Sequence, residues 1–371
     1  TAEHASSQAN NKSGFIGSWW SPGMGHIKDF SAQTSSGTTQ QASQVASLTG
    51  DVTLVAGNDY RQTASSVVAM GQAGPLVGGD VNILAKNVTL NEAYNTGQSF
   101  GVTRGDSTKL GGSASFMGIS TDMIGNGRST LQAMDATQGD SRMQALGAAN
   151  LAMSGKTAYD AVSALGSGNL NYGVSVSLSR NTSSSNSVGA SSTAVGSSVV
   201  GANNVNIVAT GGGADSNLQA IGSTIAAGRT VNLAADNNVT LEASKNTSTS
   251  AGTNSSHGES VGVTFGVGAQ NGFSIQLGVT QGKGRDNQDD VNYNNTQVSG
   301  GQGVNIASGG DLTLKGAVVE ANRVTADVGG NLNIESLQDT SIGQSRQSSS
   351  GLNLSVCIPP ICYGAVVTAS G

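Results

Sequence analysis

Few residues in this sequence are placed to do chemistry. Two cysteines, Cys357 and Cys362, flank Ile358, Pro359, Pro360 and Ile361. Apolar residues alternate into this segment from Leu352 and out of it through Val367. The pattern predicts a hairpin with the cysteines facing each other across it. Directly opposed residues of an antiparallel pair have Cα atoms ~4.5–5.5 Å apart, inside the ~4.4–6.8 Å range of a disulfide. A Cys357–Cys362 disulfide is therefore expected, and with it an oxidising compartment. The competing use of two thiols, a metal clip, lacks a nearby histidine. His4, His26 and His257 are scattered and share no ligand spacing.

The carboxylates invite two other readings. Asp286, Asp289 and Asp290 fall in the segment Lys283–Asn295, read here as a polar loop. Carboxylates suit calcium, but no EF-hand or calcium-binding nonapeptide accompanies them, and an acidic loop is the ordinary reading. Glu92, Glu242 and Glu335 recur just after the similar phrases Val88–Leu90, Val239–Leu241 and Leu332–Ile334. They could form a functional row, but a solvated coil edge is the simpler expectation. Serines abound, yet no G-x-S-x-G turn marks a nucleophile. Gly211–Asp215 is glycine-rich without a P-loop or dinucleotide fingerprint, so it reads as a loop insertion. No catalytic residue, metal or cofactor is expected, and the chain is not read as an enzyme. A β-helical polysaccharide-degrading enzyme would need clustered carboxylates and aromatic groove walls, and this sequence has 2 Trp.

The elements that carry these residues are legible in Val298–Asp339. Very short apolar pieces recur there, beginning at Val304, Leu312, Val318, Val324 and Leu332. A shift of 20 residues superimposes Val304 on Val324 and Leu312 on Leu332. Each piece is too short to bury anything alone, and such a repeat is the mark of a stacked coil in which each turn covers its neighbour. The alternation in Val304, Asn305, Ile306 sends two side chains inward and one outward. Similar pieces lie at Val52–Leu54, Ser66–Ala69, Val81–Ile83 and Asn87–Leu90, with Gly-Asp and Gly-Asn pairs at the corners.

A longer repeat lies above the coil. Leu90, Leu241 and Ile334 each precede a Ser/Gly-rich stretch and then a longer alternating strand. Val261–Val267 and Phe273–Val279 flank Asn271-Gly272, a strong hairpin signal. The expected hairpin leaves the coil and folds back along it, because an apolar strand face normally finds cover. Phe100–Thr103, Ser113–Ile119 and Leu170–Leu178 read as strands of an equivalent hairpin, and residues 121–166 between them show helical spacing. Residues 1–47 are a polar segment belonging to a preceding hairpin or coil, with an aromatic island at Gly14–Trp20. Residues 48–371 are the repeat coil, with a helical insertion at 121–166 on a hairpin tip.

Charged residues make up 11% and aromatic residues 4%, while Gly, Ser, Thr and Asn fill the gap. That composition suits tight turns and polar ladders rather than disorder. A net charge of −6 with no basic stripe argues against nucleic acid as partner. No apolar run approaches the ~18 residues of a spanning helix. No signal peptide opens the chain, so Thr1 reads as a cut inside a longer protein. The expected shape is an elongated solenoid of order 150 Å at most, monomeric in dilute solution but with open strand edges at both ends.

The phrases Gly78–Leu90, Leu314–Ser341 and Cys357–Gly364 resemble the haemagglutinin-repeat regions of filamentous haemagglutinins and of CdiA-like contact-dependent growth inhibition exoproteins. The resemblance covers roughly residues 48–371, and the stretch 121–166 departs from the plain repeat. It implies an all-β fold, a right-handed parallel β-helix of about 20 residues per coil with extra-helical β-hairpins and one small helical insertion. It also implies a large exoprotein of a Gram-negative bacterium, secreted to the cell surface through an outer-membrane transporter of the two-partner type. In toxin-delivering members such a repeat region lies between the receptor-binding part and a C-terminal toxin, and engages the target cell's outer membrane. The alternative is an adhesin stalk that binds host or neighbouring cells through a surface receptor.

Overall fold

A computed structural model describes residues 2–15, 23–71, 79–116, 119–120, 172–267, 272–358 and 364–371. The chain opens with a hairpin, β1 (Ala2–Phe15) and β2 (Gly23–Thr38). Two coils follow. The first is β3 (Gln44–Ser47), β4 (Val52–Val55) and β5 (Asp59–Thr63). The second is β6 (Ser66–Ala69), β7 (Val81–Ala85) and β8 (Asn87–Asn91). The second hairpin is β9 (Ala93–Phe116), with the short β10 (Ile119–Ser120) paired back on its end, and β11 (Tyr172–Val195). Coil three is β12 (Ser198–Gly201), β13 (Asn204–Ala209) and β14 (Leu218–Ile221). Coil four is β15 (Thr224–Ala227), β16 (Thr230–Ala235) and β17 (Val239–Glu242).

The third hairpin is β18 (Ser244–Val267) and β19 (Gly272–Asn294). Coil five is β20 (Thr296–Gly300), β21 (Gly303–Ser308) and β22 (Leu312–Lys315). Coil six is β23 (Ala317–Ala321), β24 (Val324–Val328) and β25 (Leu332–Glu335). A fourth hairpin, β26 (Thr340–Ile358) and β27 (Gly364–Ser370), closes the order.

The coil strands stack in register into three parallel six-stranded sheets. Alternation then builds aliphatic ladders through the interior. Val81, Val205, Val231 and Val304 align, as do Ile83, Ile207, Leu233 and Ile306. Val67, Val199, Ile225 and Val298 form the ladder of the first sheet, and Val88, Leu218, Val239 and Leu312 that of the third. All of these are buried, and together they are the core. The outward position between two inward ones carries an amide ladder. Asn206 Nδ2 donates to Asn82 Oδ1 at 2.8 Å, Asn232 to Asn206 at 2.7 Å and Asn305 to Asn232 at 2.8 Å. Leu90, Leu241 and Ile334, the marks of the longer repeat, all stand on the third sheet, two coils apart.

At the corner from third sheet to first, a column of hydroxyls runs from Ser65 to Thr296 and stops at Ala317, which takes the next place in register. Ser197 Oγ donates to the carbonyls of Asn91 at 2.8 Å and Gln62 at 3.1 Å, Ser223 Oγ to Ile221 at 2.8 Å, and Thr296 Oγ1 to Glu242 at 2.6 Å. Ser197, Ser223 and Thr296 are buried, so these bonds satisfy carbonyls that water does not reach. Whether the chain turns or departs is set just before this column. Ala64, Gly222 and Gly316 have φ of 44°, 54° and 59°, and at each the chain turns directly into the next coil. Left-handed backbone is cheap for glycine and disfavoured elsewhere. At the alternate corners the register puts Glu92 and Ala243 in that place, neither with positive φ, and there the hairpins leave.

Two expectations are corrected here. The hairpins do not fold back along the coil. Among the described residues their strands pair with one another, in the order β1-β2-β9-β11-β18-β19-β26-β27, as one antiparallel sheet standing off the coil. Nor does the polar stretch Lys283–Asn295 form a loop, because it is strand through Asn294. Backbone ladders on both sides hold this strand, so it needs no apolar pattern of its own. The shape follows. Six stacked coils span only ~25–30 Å, whereas a 24-residue hairpin strand reaches ~80 Å. The aromatic island at 16–20 and the helical spacing at 121–166 lie outside the described residues.

Candidate interaction surface

The residues singled out for chemistry are dispersed by the fold. His26 sits on β2 opposite Thr108, and His257 on β18 opposite Thr182 and Gln281. His4, on β1, is opposite Ser35. Asp289 and Asp290 are successive strand residues and point to opposite faces of the sheet. Asp290 accepts from Ser341 Oγ at 2.6 Å and from Gln288 Nε2 at 2.9 Å. Among the described residues no group of three or more His, Cys, Asp or Glu side chains is gathered that could hold a metal ion.

The glutamates do not form one row. Glu242 and Glu335 flank Lys315 in register, and Lys315 Nζ lies 3.8 Å from Glu242 Oε1. Glu92 falls one place further along its coil and accepts from Tyr94 Oη at 2.9 Å. This hydrogen bond, together with burial, raises the pKa of Tyr94, burial being the larger cause. The loop at 211–215 includes a one-turn 3-10 helix, Gly213–Asp215. Asp236 anchors that loop by accepting the Gly211 N–H at 2.8 Å and the Thr210 hydroxyl at 2.9 Å, and these bonds lower its pKa.

Cys357, near the end of β26, is opposite Gly364 of β27 and Ser274 of β19. Cys362 lies outside the described residues.

What sequence reasoning missed is a surface made by all four hairpins together. Register aligns Phe15, Met24, Leu110, Leu178, Val261, Leu277, Leu354 and Val367 in one row across the whole sheet. Two residues further from the coil, Val176, Val263, Ile275 and Val356 align on the same face. Beyond them come Val174, Phe265, Phe273 and Ile358. Met24, Leu110, Leu178, Val261, Leu277 and Val367 are 42–65% exposed. The opposite face at this level carries Ser177, Gly262, Gln276 and Ser355 instead. At ~4.8 Å between strands and ~3.3 Å per residue the apolar area is on the order of 500 Å². That is at the upper end for a monomer surface, and patches of this size usually mark an interaction. The available signal was the alternation in each hairpin. That the four alternations coincide depends on registers no single strand contains.

A sequence profile for the haemagglutinin repeat matches residues 178–351, from within β11 to within β26. The chain is 31% identical to "Deoxyribonuclease CdiA" of Dickeya dadantii over 85% of its length, and 32% identical to "Toxin CdiA" of Escherichia coli over 84%. It is 33% identical to "Deoxyribonuclease CdiA" of Yersinia pseudotuberculosis over 94%. This chain is a CdiA-like haemagglutinin-repeat region. It spans 9% and 10% of the first two relatives and 32% of the third. No solved structure gives a significant match. In this haemagglutinin-repeat region, the coils and hairpins at 178–351 are the part the profile describes, and the apolar rows on β11, β18, β19 and β26 fall largely within it.

Proposed function

We propose that this region is a non-catalytic segment of a large secreted exoprotein of the two-partner type, and that it engages the target-cell outer membrane during contact-dependent toxin delivery. The observation that carries the reading is the one-sided apolar face shared by the four hairpins. A soluble coil needs no such face, and a sheet with one apolar and one polar side suits a lipid interface. The relatives' names, toxin and deoxyribonuclease, support a delivery context. Export through an outer-membrane transporter and display on a Gram-negative cell surface belong to the same reading. The test is flotation of the purified chain with outer-membrane vesicles. Binding is expected, and a triple Leu178→Ser, Val263→Ser, Leu277→Ser variant should lose it. Equal flotation of that variant would sink the reading.

We also propose that Cys357 and Cys362 form a disulfide pinning the fourth hairpin locally. Export to an oxidising compartment supports it. A non-reduced peptide digest analysed by mass spectrometry should show the cross-link, and two alkylatable thiols in freshly secreted protein would exclude it.

A further inference from the structure

The apolar rows do not stand alone on their face. Moving from them toward the coil, basic side chains join the same face, among further exposed apolar residues such as Val279, Leu352 and Phe30. Arg180 lies two residues from Leu178, and Lys28 four from Met24. One row further in, Arg104 and Lys283 share a register line, and in the next Arg285 opposes Arg346 directly. Like charges directly opposed across strands repel, so this pairing suits an anionic ligand better than it suits the isolated sheet. These rows hold six Lys or Arg against two acids, Asp106 and Glu259. Asp106 is engaged by Arg180 at 2.9 Å, and Glu259 by His257 at 3.0 Å. The whole chain carries −6, so the belt runs against the overall charge. The other face of the same strands has no such surplus, carrying Lys12 and Lys109 with Asp29, Asp286 and Asp290.

We infer that this face binds a lipid surface rich in anionic phosphate headgroups, with the apolar rows entering the acyl region and the belt resting on the phosphates. The inference rests on the membrane reading above and names its partner. The order of the rows matches the order of a leaflet's layers, charge beside hydrocarbon. The apolar rows extend ~20 Å along the strands, short of the ~30 Å hydrocarbon core, and the opposite face is polar. The sheet therefore tilts its apolar rows into one leaflet and does not cross the bilayer.

The test uses the full chain with two vesicles, neutral phosphatidylcholine and the same lipid with about a third phosphatidylglycerol. A third vesicle bears lipopolysaccharide. At roughly 1 kcal/mol for each of four net charges, binding should be roughly a thousandfold tighter to anionic vesicles at low salt. The preference should shrink several-fold at about 0.5 M salt. A belt variant, Arg104→Gln, Lys283→Gln, Arg285→Gln and Arg346→Gln, should bind both lipids alike. The matching Arg104→Lys, Arg285→Lys and Arg346→Lys variant, with Lys283 retained, should keep the preference, which separates charge from folding. Equal, salt-insensitive binding of the unaltered chain to neutral and anionic vesicles would overturn the belt while leaving the membrane reading intact. Absence of binding to every vesicle would overturn both. Self-association through this face, unaffected by lipid or by the belt substitutions, would assign it to a second copy of the chain and overturn the inference.

Discussion

The coil and the hairpin sheet use the same strand spacing yet are held together differently. In the coil, each strand is four to six residues long and sends alternate side chains into a dry interior, where Val205, Ile207, Leu218, Val231 and Leu241 are wholly buried. In the hairpin sheet, strands run to 24 residues, and even the large apolar side chains stay half-exposed. Its order comes from backbone ladders and from attachment to the coil. The first region therefore carries the stability, and the second is free to present a surface.

The largest test of this contrast is a pair of identical truncations. Leu233→Ala in the coil should cost about 2–5 kcal/mol, read from urea denaturation, because it opens a cavity between Ile207 and Ile306. Leu178→Ala in the hairpin sheet should stay within ~0.5 kcal/mol. Equal costs would mean that the sheet has a core of its own. Next comes the buried hydroxyl column. Thr296→Val should lose about 1–3 kcal/mol and Thr296→Ser much less, since only the first strands the Glu242 carbonyl.

Gly222→Ala should cost about 1–2 kcal/mol by thermal unfolding, as φ is positive there and the added methyl meets Ser244. Ala243→Gly, at a corner with no positive φ, should change stability far less. The smallest effect is electrostatic. Bonds from the Gly211 N–H, the Thr210 hydroxyl and the Gly213 N–H hold Asp236 below its ordinary 3.8. Their contribution is therefore complete above that value and is lost as pH falls through the lowered one. Amide exchange at residues 211–215 should accelerate in that acid range without global unfolding, and Asp236→Asn should remove the dependence.

The coil was legible because burial writes itself into sequence. Val304, Ile306, Leu312 and Leu314 alternate with polar residues at a fixed spacing, and every such piece from Val52 onward became a strand. The polar halves of the hairpins were not legible. Ser183–Ser187 and Lys283–Asp290 bury nothing, so no periodicity marks them as strand, although both are paired on two sides. The apolar face was half-legible. Val261–Val267 announced an amphipathic strand, but the assumption that it packs on the coil failed because its neighbours are other hairpins. The glutamate row was an illusion of local spacing, since Glu92 is displaced by one residue from the line of Glu242 and Glu335.

One hairpin leaves after every second coil, and that ratio has an arithmetic consequence. A hairpin adds two strands to the antiparallel sheet, about 9.6 Å of width at the usual strand spacing. Two coils add the same ~9.6 Å to the stack. The two lattices are commensurate, so each new hairpin roots directly beside the last with no accumulated shear. A hairpin at every coil would make the sheet outgrow its support and buckle, and one at every fourth would leave gaps in the ladder. Alternating corners with and without positive φ keep the two growth rates equal, so a chain of this pattern can be lengthened without limit while its exposed face stays continuous.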